Sequence, residues 1–318
     1  MKVSIVIPNF NGSHLLRTNL LSVITSVSTF EKKTNKRAEI IIVDDGSSDN
    51  SLSVLDKIKK NCDRQEIRFC YLSLKKNSGF SSAINIGVKS SKGEIVVLLN
   101  SDVRPKQNFL EFLLPHFENE KVFAVGCMDE SIENNKIVDR GRGIGEWKKG
   151  LLYHSAGKMD QADTLWVNGG SGAFRRIIWE KIGGMQEVYN PYYWEDIDIS
   201  YRAQKAGFET VFEKKSIVVH EHEAGIIKTT KSEKDINKVA YRNQFFFVWI
   251  NVTDSLYLTT HFLWLPYHIF TAVVRGDIVL LQGFIMAVWN ANKIISIRNK
   301  TIKLFVTSDK EILHRYKV

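Results

Sequence analysis

Three short apolar runs in this chain end abruptly in acidic residues. Ile40-Ile41-Ile42-Val43 runs into Asp44-Asp45, Ile95-Val96-Val97-Leu98-Leu99 into Asn100-Ser101-Asp102, and Tyr192-Tyr193-Trp194 into Glu195-Asp196. Runs of this length without polar interruption fit strands covered on both faces, since a half-exposed strand would alternate. A sheet whose strands end in carboxylates presents those acids along one edge, where open α/β sheets bind ligands. The pattern predicts an α/β enzyme acting on a charged, nucleotide-linked substrate.

Around these runs the chain alternates strand-like and helix-like stretches, as a parallel sheet with crossover helices does. Strands are expected at 3–8, 40–44, 67–72, 95–99 and 122–128, and helices at 13–27, 50–61, 81–90 and 108–119. Residues 129–163, rich in glycine and charge, read as loops and short antiparallel strands over the site. A further helix is expected at 196–206, closed by Gly207. With 318 residues, 44% hydrophobic, the chain can bury a full core. The expected division is a catalytic domain over 1–240 and an apolar, basic helical segment over 241–318.

Cys62, Cys70 and Cys127 are odd in number and lack metal-site spacing, which fits a reducing compartment. The start Met1-Lys2-Val3-Ser4-Ile5-Val6-Ile7-Pro8 is too short an apolar run for a signal peptide and reads as a first strand. A cytoplasmic location is the expectation. The net charge of +9 is concentrated late, with 13 Lys/Arg against 6 Asp/Glu from Gly225 onward. Long aromatic and aliphatic runs accompany that basicity, including Phe245-Phe246-Phe247 and the uncharged stretch Ser255 to Val274. They favour an anionic membrane surface over nucleic acid, although a solvated basic face has the same composition. Thr259, Thr260, His261, Pro266 and His268 make the stretch better suited to lying in the inner membrane interface than to crossing it, with ordinary buried helices or an oligomer interface as the other reading.

Each candidate constellation has a plain alternative. Pro8-Asn9-Phe10-Asn11-Gly12 and Asp44-Asp45-Gly46-Ser47-Ser48-Asp49 leave adjacent strands and suit a base N–H or ribose hydroxyls, yet Asp-Gly-Ser is also ordinary turn chemistry. Asp102 is placed to hold Mg²⁺ or Mn²⁺ against a diphosphate, or merely to enter a helix ahead of Pro105. Glu195-Asp196 is a candidate base pair or an acidic first helical turn. His220 and His222 flank Glu221 after an apolar run and suit a metal shell or a solvated loop. Gly169 to Gly172 offers backbone donors or flexibility.

Taken together, Pro8 to Gly12, Asp44 to Asp49, Asn77-Ser78-Gly79-Phe80, Leu98 to Asp102, Gly170 to Phe174 and Trp194 to Asp198 resemble family 2 glycosyltransferases of the GT-A fold. They occur in that family's order across residues 1–225, and the likeness is greatest to the bacterial rhamnosyltransferase-like branch, which assembles cell-surface polysaccharides. The resemblance implies inverting transfer from a nucleotide-diphosphate sugar to a hydroxyl of a saccharide or lipid-linked acceptor. It implies sugar-donor contacts from Pro8, Asn9, Asn11, Asp44, Asp45, Ser78, Gly79, Asn100 and Ser101, with Asp45 and its neighbour Asp44 on the nucleoside. Asp102 and His220 would hold the divalent cation, and Asp196 would be the base with Glu195 beside it. Asn100 stands where the family's common Asp-x-Asp motif has its first acid, which removes one charge from the metal edge. A sugar-nucleotide nucleotidyltransferase would want a glycine-rich basic loop after the first strand, absent here. A catalytically silent saccharide-binding or scaffold protein of the same fold remains as the other alternative.

Overall fold

The structure, a computed structural model, describes residues 2–133, 136–220 and 231–316. Its centre is a sheet containing β1 (Val3–Asn9), β2 (Ala38–Asp44), β3 (Arg68–Ser73) and β4 (Ile95–Leu99). These four pair in parallel in the order β3-β2-β1-β4. All five side chains of β4 are buried, as its continuous apolar sequence requires. β10 (Ser171–Arg175) runs antiparallel between β4 and β6 (Val122–Glu133), and β11 (Glu209–His220) and β5 (Val103–Pro105) complete the order.

Alternate side chains of one strand serve opposite faces. Ile5 and Ile7 meet Leu16 and Leu20 of α1 (Ser13–Thr34) and Val54 and Leu55 of α2 (Ser51–Arg64). Val6 meets Ala83 and Ile84 of α3 (Phe80–Ser90), in the same cluster as Trp179 of α5 (Arg176–Lys181) and Ile199 of α6 (Glu195–Lys205). Helix α3 lies close because Gly87 presents no side chain to the sheet: a Cβ there would sit 2.3 Å from Val6 Cγ1.

Several expected boundaries move for local reasons. Helix α1 continues to Thr34, well past Val27. The stretch expected as one helix over 108–119 is α4 (Phe109–Leu113) followed by a 3-10 turn, because Pro115 cannot donate into a continuing helix. Neither α1 nor α2 has its own side-chain cap; the Asp49 carboxylate accepts the Ser13 and Ser51 N–H groups at 2.9 Å each and serves both. Strand β6 runs on to Glu133 instead of ending near Met128, since β11 lies beside it as far as Ser131. Asp129 and Ser131 therefore belong to the sheet, not to an irregular loop. The rest of that region forms antiparallel pairs, β7 (Lys136–Arg140) on β6 and β8 (Gly143–Lys148) with β9 (Leu151–Ala156).

The boundary expected at 240 falls inside α7 (Glu233–Asn251). Phe245, Phe246 and Phe247, which read as surface-seeking aromatics, are buried in one cluster with Leu151, Leu165, Tyr189, Trp194, Ile197 and Tyr201. Beyond it, α8 (Ser255–Arg275) turns Thr260, His261 and His268 toward residues 147–150. Thr260 accepts from Trp147 at 3.0 Å, His261 Nδ1 lies 2.7 Å from the Gly150 carbonyl, and His268 Nε2 lies 2.8 Å from the Lys149 carbonyl. The opposite face leaves Leu256, Phe262, Leu263, Phe270, Val273 and Val274 exposed. Among the described residues no single helix is long and apolar enough to cross a membrane. One pair, α9 (Ile278–Trp289) and residues 291–304, meets the length and composition together but bends by 65°. Helix α9 also docks Gly283 against Tyr241 and the Lys238 carbonyl of α7.

Gly87→Ala tests the close α3 contact. Alanine suits a helix better by roughly 1 kcal/mol, but the stiff, buried Val6 side chain has no room to retreat. The expected net result is a loss of about 1–3 kcal/mol, read from the denaturant midpoint; an unchanged or higher midpoint would mean that the interface accommodates the methyl.

Candidate functional site

The parallel register sets Asn9 opposite Asp44 at the carboxyl ends of β1 and β2. Asn9 Nδ2 donates to Asp44 Oδ1 at 2.8 Å, and Ser47 Oγ donates to the same oxygen at 2.6 Å. Asn11, in a left-handed conformation with φ 51°, accepts the Ser48 N–H at 2.8 Å. Asp44 thus ties the two turns together through Asn9 and Ser47, and Pro8 pairs with Val43 in the strand just before the turn. Asp45 reaches across to the next element and accepts from Ser78 N–H (2.8 Å), Ser78 Oγ (2.7 Å) and Gly79 N–H (2.9 Å). A carboxylate has about four acceptor positions, so Asp45 retains capacity for a base N–H or a ribose hydroxyl. The Asn190 side chain packs on Gly79 and donates to the Ser78 carbonyl at 2.9 Å and to Ser82 Oγ at 2.8 Å. Nothing in the local sequence marked Asn190 as a partner of residues more than a hundred positions earlier.

At the end of β4, Asn100 N–H donates to the Gly170 carbonyl at 2.9 Å, and its side-chain amide lies over Gly170, where a Cβ would come within 2.3 Å of it. Ser101 offers its carbonyl to Asn19 Nδ2 of α1 at 2.8 Å. Asp102 Oδ1 is buried without a hydrogen-bond partner and lies 3.3 Å from His220 Nε2. His220 Nδ1 is 2.9 Å from Asp129 Oδ2, and Asp129 Oδ1 accepts from Ser131 Oγ at 3.0 Å. Burial works against charge on this imidazole, but the Asp102 and Asp129 carboxylates outweigh it and push its pKa up to about 9. Asp129 is the group that sequence reasoning misses, because it falls at the start of the stretch that reads as loops and short antiparallel strands and no motif marks it.

Among the described residues no three His, Cys, Asp or Glu side chains are grouped to hold a metal ion. The donor set still fits a divalent cation completed by a diphosphate and water. Asp102 Oδ1 is a buried acceptor in ion-pair contact with His220 Nε2 at 3.3 Å, a cation would take the place of the Nε2 proton, and a carboxylate on Nδ1 orients the ring as second-layer partners of metal-bound histidines do. Glu221 and His222 lie outside the described residues.

The third group begins α6. Asp196 is half-buried and accepts the Ile197 N–H at 2.8 Å. Burial raises its pKa, opposed by backbone hydrogen bonds from Ile197 and Gly169. Glu195 is more deeply buried and its Oε2 has no partner. Burial first and the Asp196 charge second hold Glu195 well above the usual carboxylate range, so of the two neighbours Glu195 is the one pushed further toward its protonated form. Asp198 is structural: it is buried against Arg202 at 2.7 Å, Tyr189 Oη at 3.0 Å and Asn251 Nδ2 at 2.7 Å.

Gly169 and Gly170 are where these groups meet. A Cβ on Gly169 would lie 3.4 Å from Phe80 and 3.5 Å from Asp196 Cβ, while Gly170 contacts Asn100. The Gly170 and Ser171 N–H groups donate to Asn168, at 2.7 and 3.3 Å, so they are not the open anion donors that the glycine pattern suggested.

The parallel sheet with acids at one edge, interrupted by an antiparallel strand that carries the Gly169-Gly170 turn to that edge, defines a GT-A-type nucleotide-sugar fold. The family model "Glycosyl transferase family 2" matches residues 4–183, and the chain belongs to that family. A chondroitin synthase of Pasteurella multocida (strain Pm70) is 23% identical over 229 residues, covering 63% of this chain and 22% of the relative. A poly-beta-1,6-N-acetyl-D-glucosamine synthase of Staphylococcus aureus (strain COL) is 26% identical over 219 residues, covering 66% and 48%. The chain therefore spans about half the length or less of these curated relatives. Among solved structures, GalNAc-T7 with UDP, GalNAc and Mn²⁺ superposes with a TM-score of 0.61 at 19% identity, covering 79% of this chain and 48% of that one. S. aureus TarS 1–349 in complex with UDP-GlcNAc gives 0.59 at 15% identity, covering 99% and 91%. These matches bear on the family and the fold, not on any one branch of the family.

Replacing the buried Glu195 by glutamine isolates its electrostatic cost. A raised folded pKa means that stability is fully present below the ordinary value of 4.5 and is lost as pH rises toward the higher folded value. Glu195→Gln should therefore be more stable than the wild type at pH 7 to 8, with the difference vanishing as pH falls to about 4. Denaturant midpoints across this range check it; a difference that grows on acidification would reverse the assigned direction.

Proposed function

We propose that this chain is an inverting glycosyltransferase of cell-surface polysaccharide synthesis, moving a sugar from a nucleotide-diphosphate donor to a hydroxyl of a saccharide or lipid-linked saccharide. The observation that carries the reading is the meeting of three groups at Gly169-Gly170: the Asp45 edge through Phe80, the Asp102 edge through Asn100, and Asp196 directly. In this reading Asp45 accepts from the nucleoside, and Asp102 with the His220 imidazole holds a divalent cation. When bound, such a cation supplies charge neutralisation for the departing nucleotide diphosphate. Asp196 removes the proton of the acceptor hydroxyl as the hydroxyl attacks the anomeric carbon from the face opposite the leaving diphosphate. Its raised pKa makes it a stronger base than an exposed aspartate, and neutral Glu195 beside it adds no competing charge. The polymer synthases among the relatives and the UDP-GlcNAc complex of TarS make UDP-linked amino sugars the first donors to screen.

Two substitutions separate binding from chemistry. Asp196→Asn should leave sugar-donor affinity near normal and cut transfer by roughly 10² to 10⁴-fold, whereas Asp102→Ala should cut it by roughly 10²-fold or more through lost charge stabilisation. Nucleotide release and titration of the nucleoside diphosphate read both. Near-normal turnover in either folded variant would remove the role assigned to that residue.

The same reading sets the protein peripherally on the cytoplasmic face of the membrane. Its support is the uncharged outer face of α8, exposed over Leu256, Phe262, Leu263 and Phe270, with Arg275 and Lys149 at its margins. Truncating α7 would open the core, so point charges are the cleaner test. Phe262→Asp with Phe270→Asp should abolish co-sedimentation with anionic vesicles without lowering the unfolding midpoint, and wild-type binding should weaken as salt rises. A wild-type protein indifferent to such vesicles contradicts the membrane assignment.

A further inference from the structure

The loop that delivers Glu195 and Asp196 has an unusual backbone. Tyr193 and Trp194 are consecutive, bulky, and both left-handed, with φ of 70° and 75°. Side chains of this size disfavour that region, so such a loop persists only where its surroundings over-determine it. What determines it here is α7, which lies wholly beyond the matched family segment. Asn243 is fully buried, and its Nδ2 lies within hydrogen-bond distance of three loop carbonyls: Tyr189 at 2.9 Å, Tyr192 at 3.0 Å and Tyr193 at 2.8 Å. Arg242 adds Asn190 and Tyr189 carbonyls at 2.6 and 3.2 Å, and its Nε donates to Asn243 Oδ1 at 2.9 Å, which orients the amide. The Arg242 guanidinium is itself seated on the Phe246 ring at 5.2 Å.

We infer that Asn243, aimed by Arg242, is a positioning residue for glycosyl transfer: it holds residues 189–194 so that Tyr193 and Trp194 keep the left-handed path that sets Asp196 against the acceptor hydroxyl. No other side-chain amide hydrogen-bonds those three carbonyls among the described residues. The same loop carries Asn190, which grips the Ser78-Gly79 turn, so one clamp on α7 fixes the base relative to the nucleoside edge. The inference rests on the glycosyltransferase reading above and deepens it by adding α7 to the machinery.

The test uses the full chain, with Asn243→Ala, the near-isosteric Asn243→Asp, and Asn243→Ala combined with Tyr193→Gly. Misplacement of a catalytic group by a fraction of an ångström to an ångström lowers turnover by roughly 10 to 10²-fold. Asn243→Ala should show that fall in kcat while nucleoside diphosphate affinity stays within about twofold, and amide exchange should quicken over 189–197 and not over 40–48. Asn243→Asp should be no better, since a carboxylate turns an acceptor toward three carbonyls. Tyr193→Gly in the Asn243→Ala background should recover part of the lost kcat, because glycine adopts the left-handed conformation without strain. A folded Asn243→Ala protein with wild-type kcat overturns the inference, as does a loss of midpoint with exchange quickened uniformly and no kcat effect. Should Asn243→Ala not fold, Arg242→Lys provides the same comparison with a smaller expected fall. If the wild type turns over no nucleotide sugar yet 189–197 still loosens in Asn243→Ala, the function reading fails and the clamp stands as structure only.

Discussion

The site depends on the parallel pairing of β1 with β2 and β4. That register sets Asn9 against Asp44 and Val6 against both Ile41 and Leu98. A slip of one residue would turn every buried side chain of a strand to the other face, so the apolar sequence that fills the two cores also fixes which acids stand at the edge. Asp44 is consumed in locking the turns, Asp45 anchors Ser78-Gly79 with about one acceptor position to spare, and among the described residues Asp102 Oδ1 and Glu195 Oε2 are the buried carboxylate oxygens without a hydrogen-bond partner.

Those two oxygens mark a division of labour. Buried carboxylates without partners lower stability, and a fold keeps them where a ligand or a proton completes them. At Asp102 the His220 ring lies 3.3 Å away, held from behind by Asp129; at Glu195 burial and the neighbouring Asp196 charge favour the protonated form. The two environments push their titratable groups in different directions of use, one toward holding positive charge beside a diphosphate and the other toward accepting a proton from a hydroxyl. Gly169-Gly170 lets both approach because a Cβ at Gly170 would strike the Asn100 amide and one at Gly169 would press on Met185, Phe80 and Asp196.

Much of this was legible in the sequence. Strands β1, β2 and β4 and their terminal acids announce themselves because doubly covered strands must be continuously apolar. The helix expected over 196–206 ahead of Gly207 is present as Glu195–Lys205. What remained hidden depends on contacts distant in sequence. Asp129 looked like loop because its strand is held by β11, some ninety residues on. Asn190 and Asn243 are isolated amides without a motif, and their roles exist only once α3, the 189–194 loop and α7 are packed. Phe245 to Phe247 have the composition of a surface-seeking run, and only burial against Tyr189, Trp194 and Tyr201 distinguishes them from the exposed face of α8.

The central claim is a single in-line displacement with Asp196 on the acceptor side and the diphosphate departing past Asp102. The stereochemistry at the anomeric carbon tests it most directly, using a nucleotide-diphosphate sugar that the protein turns over and following the first product by proton NMR before mutarotation. The account predicts an anomeric configuration opposite to that of the sugar donor. A product with the donor's own configuration would require two displacements or a front-face path, and would contradict the role of Asp196 as the base of a single step.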